Sequence, residues 1–172
     1  MKLKVLVPLD NTTFSRQILG YLGRYLDPTK HELVFFRVVP RVQAFVPGPM
    51  ETVPVGGLWA EAAYRSHRDA NLAKHPIYLD QIQSSVQAQI EDELQSDAKP
   101  FQEAGFQVSV IVKFDHDPAQ EILNYVDTGQ IDLLAMTTHS REGIRRLLFG
   151  SVAEKVLHHT TVPVLLVHPE TV

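Results

Sequence analysis

The chain has 172 residues, of which 44% are hydrophobic and 21% charged, which is typical of one soluble globular domain with a sizeable core. The net charge of -4 disfavours nucleic acid as a main partner, because duplex binding relies on a basic surface. There is no cysteine, and no apolar run approaches the roughly 20 residues that span a bilayer, so disulfides, thiolate chemistry and a membrane partner are not expected.

Apolar runs and helical periodicities alternate along the chain. Short runs rich in β-branched and aliphatic residues predict five buried strands, over residues 3–9, 33–39, 106–114, 131–136 and 162–167. Apolar residues at a helical spacing predict helices over 14–25, from about 76 to 105, over 119–127 and over 152–159. The order predicts an α/β fold, with a parallel sheet and helices on both faces.

Several local signals refine these elements. Asn11, Thr12 and Thr13 are capping residues before the first helix. Pro100 should kink or break the long helix, and Gly105 should end it. Residues 41–75 hold many Pro and Gly residues without a clear period, so we expect a long loop insertion within one domain that spans residues 1–172.

The segment after the fourth strand points to a ligand. Thr137, His139 and Ser140 follow that strand, and Gly150 and Ser151 then open the last helix. Ligands of parallel α/β sheets lie beyond the carboxyl ends of the strands, and a helix N-terminus offers phosphate its N–H groups and a positive partial charge. Asp10 comes directly after the first strand and is expected at the same edge, where its carboxylate could contact a ribose or a base.

Each of these features also has a purely structural interpretation. Asp10 could cap the first helix or close a turn. The stretch from Ser151 to Glu154 fits the capping box S-x-x-E, with Ser151 as N-cap. A similar start is predicted for the helix over 119–127, with Asp117 as N-cap, Pro118 after it and Gln120 as capping-box partner.

The sequence contains no pattern typical of a catalytic site or a metal site. Neither a Walker loop nor a G-x-S-x-G elbow nor a G-x-G-x-x-G turn is present. The histidines have no metal-ligand spacing, and a lone His139 is more often structural than catalytic. Met1 leads directly into the first predicted strand without the apolar region of a signal peptide, so we expect a cytoplasmic location.

Taken together, these stretches resemble the universal stress protein family. The similarity lies in residues 5–10, 36–40, 117–123 and, most strongly, 131–140, 147–156 and 162–167. It covers nearly the whole chain except residues 41–75. The resemblance implies a three-layer sandwich around a five-stranded parallel sheet, of the adenine nucleotide alpha hydrolase-like type. It also implies a homodimer joined through the last strands, here Pro163 to Val167.

One branch of this family binds ATP through the motif G-x-x-G, nine residues, G-[S/T], and another branch lacks the motif and does not bind ATP. The resemblance assigns the nucleoside side to Pro8 and Asp10, the base to Val38 and Met136, and the phosphates to Gly150, Ser151 and Val152. Thr137 and Ser140 replace the first two glycines of the motif. Both carry a hydroxyl, so this loop, which includes His139, could still hold phosphate.

We therefore expect a regulatory stress protein that binds ATP or a related adenine nucleotide, with Mg²⁺ as a possible companion. No residue stands out as a strong nucleophile or base, so any hydrolysis of ATP should be slow. The alternative is a dimeric interaction module that binds no nucleotide, and the two replaced glycines favour it. An enzyme of related fold is a third and weaker hypothesis, because the histidine-pair signatures of such enzymes are missing.

Overall fold

The computed structural model describes residues 1–40, 76–138 and 150–168, and of residues 76–79 the backbone alone. The strands are β1 (Leu3–Pro8), β2 (His31–Val39), β3 (Gln107–Phe114), β4 (Leu133–Thr137) and β5 (Val164–Val167). The helices are α1 (Thr13–Arg16), α2 (Leu19–Tyr25), α3 (Pro76–Glu103), α4 (Pro118–Thr128) and α5 (Ser151–His159). The expected insertion at 41–75 lies outside the described residues.

The chain divides into two units, Met1–Pro40 with Ile90–Val172, and Arg41–Gln89. The first unit contains the whole sheet. Of the second unit, the structure describes residues 76–89, which form the first half of α3.

The five strands form one parallel sheet in the order β3-β2-β1-β4-β5. The chain fills one half of the sheet from β1 outward to β3 and then returns to place β4 on the other side of β1. The strand order therefore reverses between β1 and β4, which is the switch point at which open α/β sheets bind ligands. The predicted α/β class and parallel sheet are confirmed.

Two apolar cores lie on opposite faces of this sheet, because successive side chains of a strand point to opposite sides. The first core contains residues of α2 and α3 and consists of Val5, Val7, Leu9, Ile18, Leu22, Leu33, Phe35, Leu94, Ala98, Phe106, Ala135 and Val167. The second core contains residues of α4 and α5 and consists of Leu6, Val34, Phe36, Ala119, Ile122, Val126, Ile131, Leu134, Met136, Ala153 and Val156. Helices thus cover both faces, which gives the three layers.

The first helix differs from its prediction. One continuous helix is expected over 14–25, but the structure has two short helices, α1 and α2. Between them the N–H groups of Gln17 and Ile18 bond to carbonyls three residues back, at 3.1 and 3.4 Å. These are 3₁₀ bonds, which tighten the chain between the helices. The Ile18 side chain is nevertheless fully buried, so the apolar face remains as predicted.

The long helix continues through Pro100 to Glu103, so the expected break at this proline is wrong. A proline removes one helical hydrogen bond, but apolar packing on both sides of it holds the helix on the sheet. Ala98 is fully buried, and the ring of Phe101 meets Phe35 edge-on with centroids 5.7 Å apart. Gly105 ends the helix as predicted, with a φ of +92°. Its N–H bonds to Gln102 O and that of Phe106 bonds to Phe101 O, both at 3.0 Å, which is a Schellman motif.

Substitution of the two glycines Gly105 and Gly23 by alanine should change stability in opposite directions. Gly105→Ala places a side chain on a left-handed residue and should lower the free energy of unfolding by about 1 kcal/mol. Gly23→Ala lies inside α2 with no atom within 4 Å of the added Cβ, and should raise it by about 0.5 kcal/mol or more. Urea unfolding of both variants measures this difference, and two shifts of the same sign would contradict the assignment.

Candidate functional site

The candidate site lies at the carboxyl edge of β1 and β4, where the strand order reverses. Pro8, the last residue of β1, is in register with Phe36 of β2, and Leu6 is in register with Leu134 of β4. Because parallel neighbours keep this register, Pro8 and Met136 lie on adjacent strands near the same end of the sheet. Leu9 extends the ladder by donating its N–H to Phe36 O at 2.8 Å, and the chain then turns away at Asp10.

The carboxylate of Asp10 closes the turn that follows β1. Its Oδ1 accepts the backbone N–H of Thr12 at 2.8 Å and also the Thr12 hydroxyl. The cap of α1 is Thr12, whose Oγ1 accepts the N–H of Ser15 at 3.2 Å. Of the structural interpretations of Asp10, turn closure is therefore right and capping of the helix is wrong. Asp10 is exposed at this edge.

Three of the predicted contact residues pack against the second core, on the face of the sheet that carries α5. Met136 is only 5% exposed, and Val38 and Val152 are partly buried beside the same core. They come from β4, β2 and the first turn of α5. The structure therefore brings these apolar side chains to one face of the sheet.

The N-terminus of α5 differs from the capping box that the sequence suggests. Gly150 is the N-cap, with φ -71° and ψ 157°, and its carbonyl accepts the N–H of Glu154 at 2.9 Å. Ser151 is the first helical residue, so its expected role as N-cap is wrong. The helix begins one residue before the position that S-x-x-E implies. A glycine N-cap has no side chain to accept the first N–H groups of the helix.

The start of α4 is capped by Asp117, as predicted, with Oδ1 accepting the N–H of Gln120 at 3.0 Å. The reciprocal half of the predicted capping box is absent. The Gln120 side chain donates to Asn124 Oδ1 at 3.2 Å, and the N–H of Asp117 donates to Asp115 Oδ1 at 3.0 Å instead. Asp115 therefore satisfies the donor that the sequence assigns to Gln120.

An ion pair joins α4 to α5 at this edge of the sheet. Lys155 Nζ lies 2.6 Å from Asp117 Oδ2, with both side chains more than a third exposed. This hydrogen bond, together with the one from the Gln120 backbone, holds the pKa of the Asp117 carboxyl below its ordinary value. The pair connects the N-cap of α4 to the second turn of α5.

The polar segment after β4 is only partly described, because His139 and Ser140 lie outside the described residues. Thr137 is the last residue of β4 and is in register with Val167 of β5. Among the described residues other than glycine, only Gln130 has a positive φ. Thr137 therefore has an ordinary strand backbone, and its replacement of a motif glycine creates no left-handed strain.

The sequence patterns did not predict two buried polar residues near this edge. Thr138 is 2% exposed, and its hydroxyl lies 2.9 Å from Nδ1 of His168, just after β5. Arg37, in β2, is 5% exposed and bonds to the carbonyls of Leu9 and Asp10. The only available signal for Arg37 is a charged residue inside an apolar run, and nothing in the sequence marks which of two adjacent threonines is buried.

Within the described residues, no cluster of three or more His, Asp or Glu side chains could hold a metal ion. No helix in that part of the chain is both long and apolar enough to cross a membrane.

The chain is similar in sequence to known proteins of one family. The model of the universal stress protein family matches residues 1–168. Universal stress protein YxiE of Bacillus subtilis is 29% identical over 90 residues, which are 52% of this chain and 60% of that protein. Universal stress protein MJ0531 of Methanocaldococcus jannaschii is 42% identical over 50 residues, 29% of each chain. The chain thus matches less than two thirds of the length of these curated relatives.

Solved structures share the fold over nearly the full chain. The structure of MJ0577 of Methanocaldococcus jannaschii superposes with a TM-score of 0.67 at 17% identity, covering 100% of this chain and 99% of that one. A universal stress protein family protein of Arabidopsis thaliana with AMP bound gives 0.59 at 16% identity, covering 98% and 93%. A universal stress protein in complex with cAMP gives 0.53 at 16% identity, covering 98% of each.

The lowered pKa of Asp117 predicts a stability difference that depends on pH. A carboxyl with a lowered native pKa contributes stability above its unfolded pKa, near 3.8, and loses that contribution as the pH falls through the native value. Asp117→Asn should therefore be less stable than the wild type at pH 6, and the gap should narrow below pH 3.8. Urea unfolding of both proteins across this range measures it.

The matched control is Asp127→Asn, which removes an exposed carboxylate near the other end of α4. An acidic residue near a helix C-terminus opposes the helix dipole, so this variant should be as stable as the wild type or slightly more stable. A gap for Asp117→Asn that stays constant with pH would show that the ion pair does not stabilise the fold.

Proposed function

Because the chain belongs to the universal stress protein family, we propose that it binds an adenine nucleotide at the carboxyl edge of β1 and β4. The observation that carries this proposal is the start of α5. Its N-cap is a glycine, so no capping side chain of its own accepts the N–H groups of the first turn, and the helix begins at the carboxyl edge of the sheet because it leads back into the parallel strand β5. Family members of the same fold have been solved with AMP, cAMP and dAMP.

The phosphates would lie at the N-terminus of α5. Gly150, Ser151 and Val152 would offer backbone N–H groups, and Ser151 would add a hydroxyl on an exposed side chain. The positive end of the helix dipole favours a phosphate at this point. A triphosphate places more negative charge here than a monophosphate, which makes ATP, with Mg²⁺ as counterion, the preferred ligand in this proposal.

The nucleoside would lie between the Asp10 turn and an apolar wall. Pro8, Val38 and Met136 would supply apolar contacts for the base, and the carboxylate of the exposed Asp10 would accept hydrogen bonds from ribose hydroxyls or from the base edge. His139 and Ser140 complete the proposed contact set from the segment after Thr137. We propose a regulatory role in stress response, in which binding rather than turnover matters and hydrolysis of ATP is slow at most.

Isothermal titration with adenosine, AMP and ATP tests this arrangement. The wild type should bind ATP more tightly than adenosine. Gly150→Val should weaken ATP by about tenfold while adenosine changes little, because the added side chain covers the phosphate end of the site. Asp10→Ala should weaken all three ligands by a similar factor, because each contains the nucleoside.

The two variants serve as controls for each other, since they address opposite ends of one ligand. Their far-ultraviolet circular dichroism and urea midpoints establish that both remain folded. No heat of binding for the wild type at millimolar ATP would overturn the proposal and leave the dimeric interaction module as the favoured function.

We also propose that the chain forms a homodimer through β5, from Pro163 to Val167. This strand is at the edge of the sheet, and Val164, Leu165 and Leu166 are only partly buried. An apolar edge strand tends to pair with another chain.

Light scattering after size exclusion should give twice the 19.4 kDa of one chain. Leu165→Lys should yield the monomer, because a lysine in an edge strand opposes pairing. Val110→Lys is the matched control: it alters a partly buried residue beside the same core, but in β3, the opposite edge strand. A monomeric wild type, or equal loss of the dimer in both variants, would contradict pairing through β5.

A further inference from the structure

We propose that Arg37 is a positioning residue for the nucleoside end of the site, which it serves by fixing the turn that carries Asp10. The inference rests on the proposed function, since it concerns how that site is held in shape. Arg37 would then affect the affinity for a ligand that it does not touch.

The position of Arg37 is unusual for a charged side chain. It follows Leu33 and Phe35 on the same side of β2, and both of these belong to the first core. Its side chain is only 6% exposed. Burial of a guanidinium is strongly unfavourable unless hydrogen bonds and an opposite charge compensate for it. An aliphatic residue here would continue the core, so the arginine implies a specific requirement.

The guanidinium donates hydrogen bonds to two adjacent backbone carbonyls. Nε donates to Leu9 O at 2.9 Å, and Nη2 donates to Asp10 O at 3.0 Å. These two residues follow directly after the end of β1, where the Leu9 N–H still bonds to β2 while the Leu9 and Asp10 carbonyls bond to the guanidinium. The guanidinium is planar and holds its N–H groups in a fixed fork, so it sets both carbonyl directions at once. A lysine ammonium is a point charge and cannot do this.

Glu93 of α3 compensates the charge and orients the fork. Its Oε2 accepts a hydrogen bond from Arg37 Nη1 at 2.9 Å, so all three guanidinium nitrogens donate. Arg16 of α1 approaches the same Glu93 oxygen at 3.9 Å and pairs with Asp97 at 2.9 Å. The charges therefore alternate along a chain that joins β2, α3 and α1.

Ser15 holds the turn from the opposite direction. Its hydroxyl accepts the N–H of Asp10 at 3.2 Å, while Arg37 holds the carbonyl of the same residue. With both backbone groups of Asp10 fixed and Oδ1 bonded to Thr12, little freedom remains for the carboxylate. Preorganisation of this kind raises affinity because less conformational entropy is lost on binding.

The test compares adenosine with tripolyphosphate, which share no chemical group. Arg37→Lys keeps the charge but loses the fork, so it should weaken adenosine and ATP by about tenfold and leave tripolyphosphate within about twofold. A general loosening of the fold would weaken all three ligands together. Isothermal titration gives the affinities, and amide shifts of Asp10 and Thr12 report the turn directly.

Arg16→Lys is the matched control, because it alters the same chain of charges without contact to the Leu9 or Asp10 carbonyls. It should leave the affinity for each ligand within about twofold. If Arg37→Lys does not fold, Glu93→Gln replaces it: the loss of the charged acceptor should weaken adenosine by about threefold, again without effect on tripolyphosphate.

The outcomes separate the two proposals. A wild type that binds neither adenosine nor ATP overturns the proposed function itself. A wild type that binds them, with Arg37→Lys or Glu93→Gln equal to it, overturns the role of Arg37 alone. An equal loss for adenosine and tripolyphosphate also overturns it, because Arg37 would then act on the whole fold.

Discussion

Helices cover both faces of the sheet, and the rest of the molecule depends on this constraint. It makes the middle of β1, β2 and β4 apolar on both sides, since helices cover both faces there. Polar groups are consequently displaced to the strand ends and to the helix starts. The reversal of strand order between β1 and β4 then gathers two of these ends and the start of α5 at one edge. The location of the candidate site follows from the topology before any residue at it is considered.

Arg37 departs from this separation of apolar and polar groups, because it is charged and buried within β2. It brings a charge into the first core, and its bonds connect the end of β1 to α3. A buried arginine that contacted a single acceptor would be poorly compensated. Here two carbonyls and a carboxylate share its donors, so the turn after β1 and the position of α3 become parts of one network.

The strands, the helices and the fold class could be predicted because their signals are local and repeated. Each strand boundary lies within two residues of its expected position, since β-branched runs and breakers recur at every element. Helix starts were less predictable. The N-cap of α5 is Gly150 and not Ser151. The N–H of Asp117 bonds to Asp115 and not to Gln120. Several residues near a helix start can satisfy the same donors, and backbone angles that a sequence does not contain decide among them.

The contacts of Arg37 were beyond prediction for a different reason. Its partners lie 28, 27 and 56 residues away in sequence. No periodicity links such positions, and they meet only after the sheet has set the register of β1 against β2. The Thr138–His168 contact spans 30 residues and is hidden in the same way.

The same geometry bears on the motif glycine that Thr137 replaces. Side chains alternate along β4, with Ala135 in the first core and Met136 in the second. Thr137 therefore projects to the side of the first core, opposite to Met136 and to the wall proposed for the base. Its strand backbone needs no glycine, and its side chain leaves that wall unobstructed. The effect of a side chain at this position depends on the face of the sheet to which it points, which the letters of a motif do not contain.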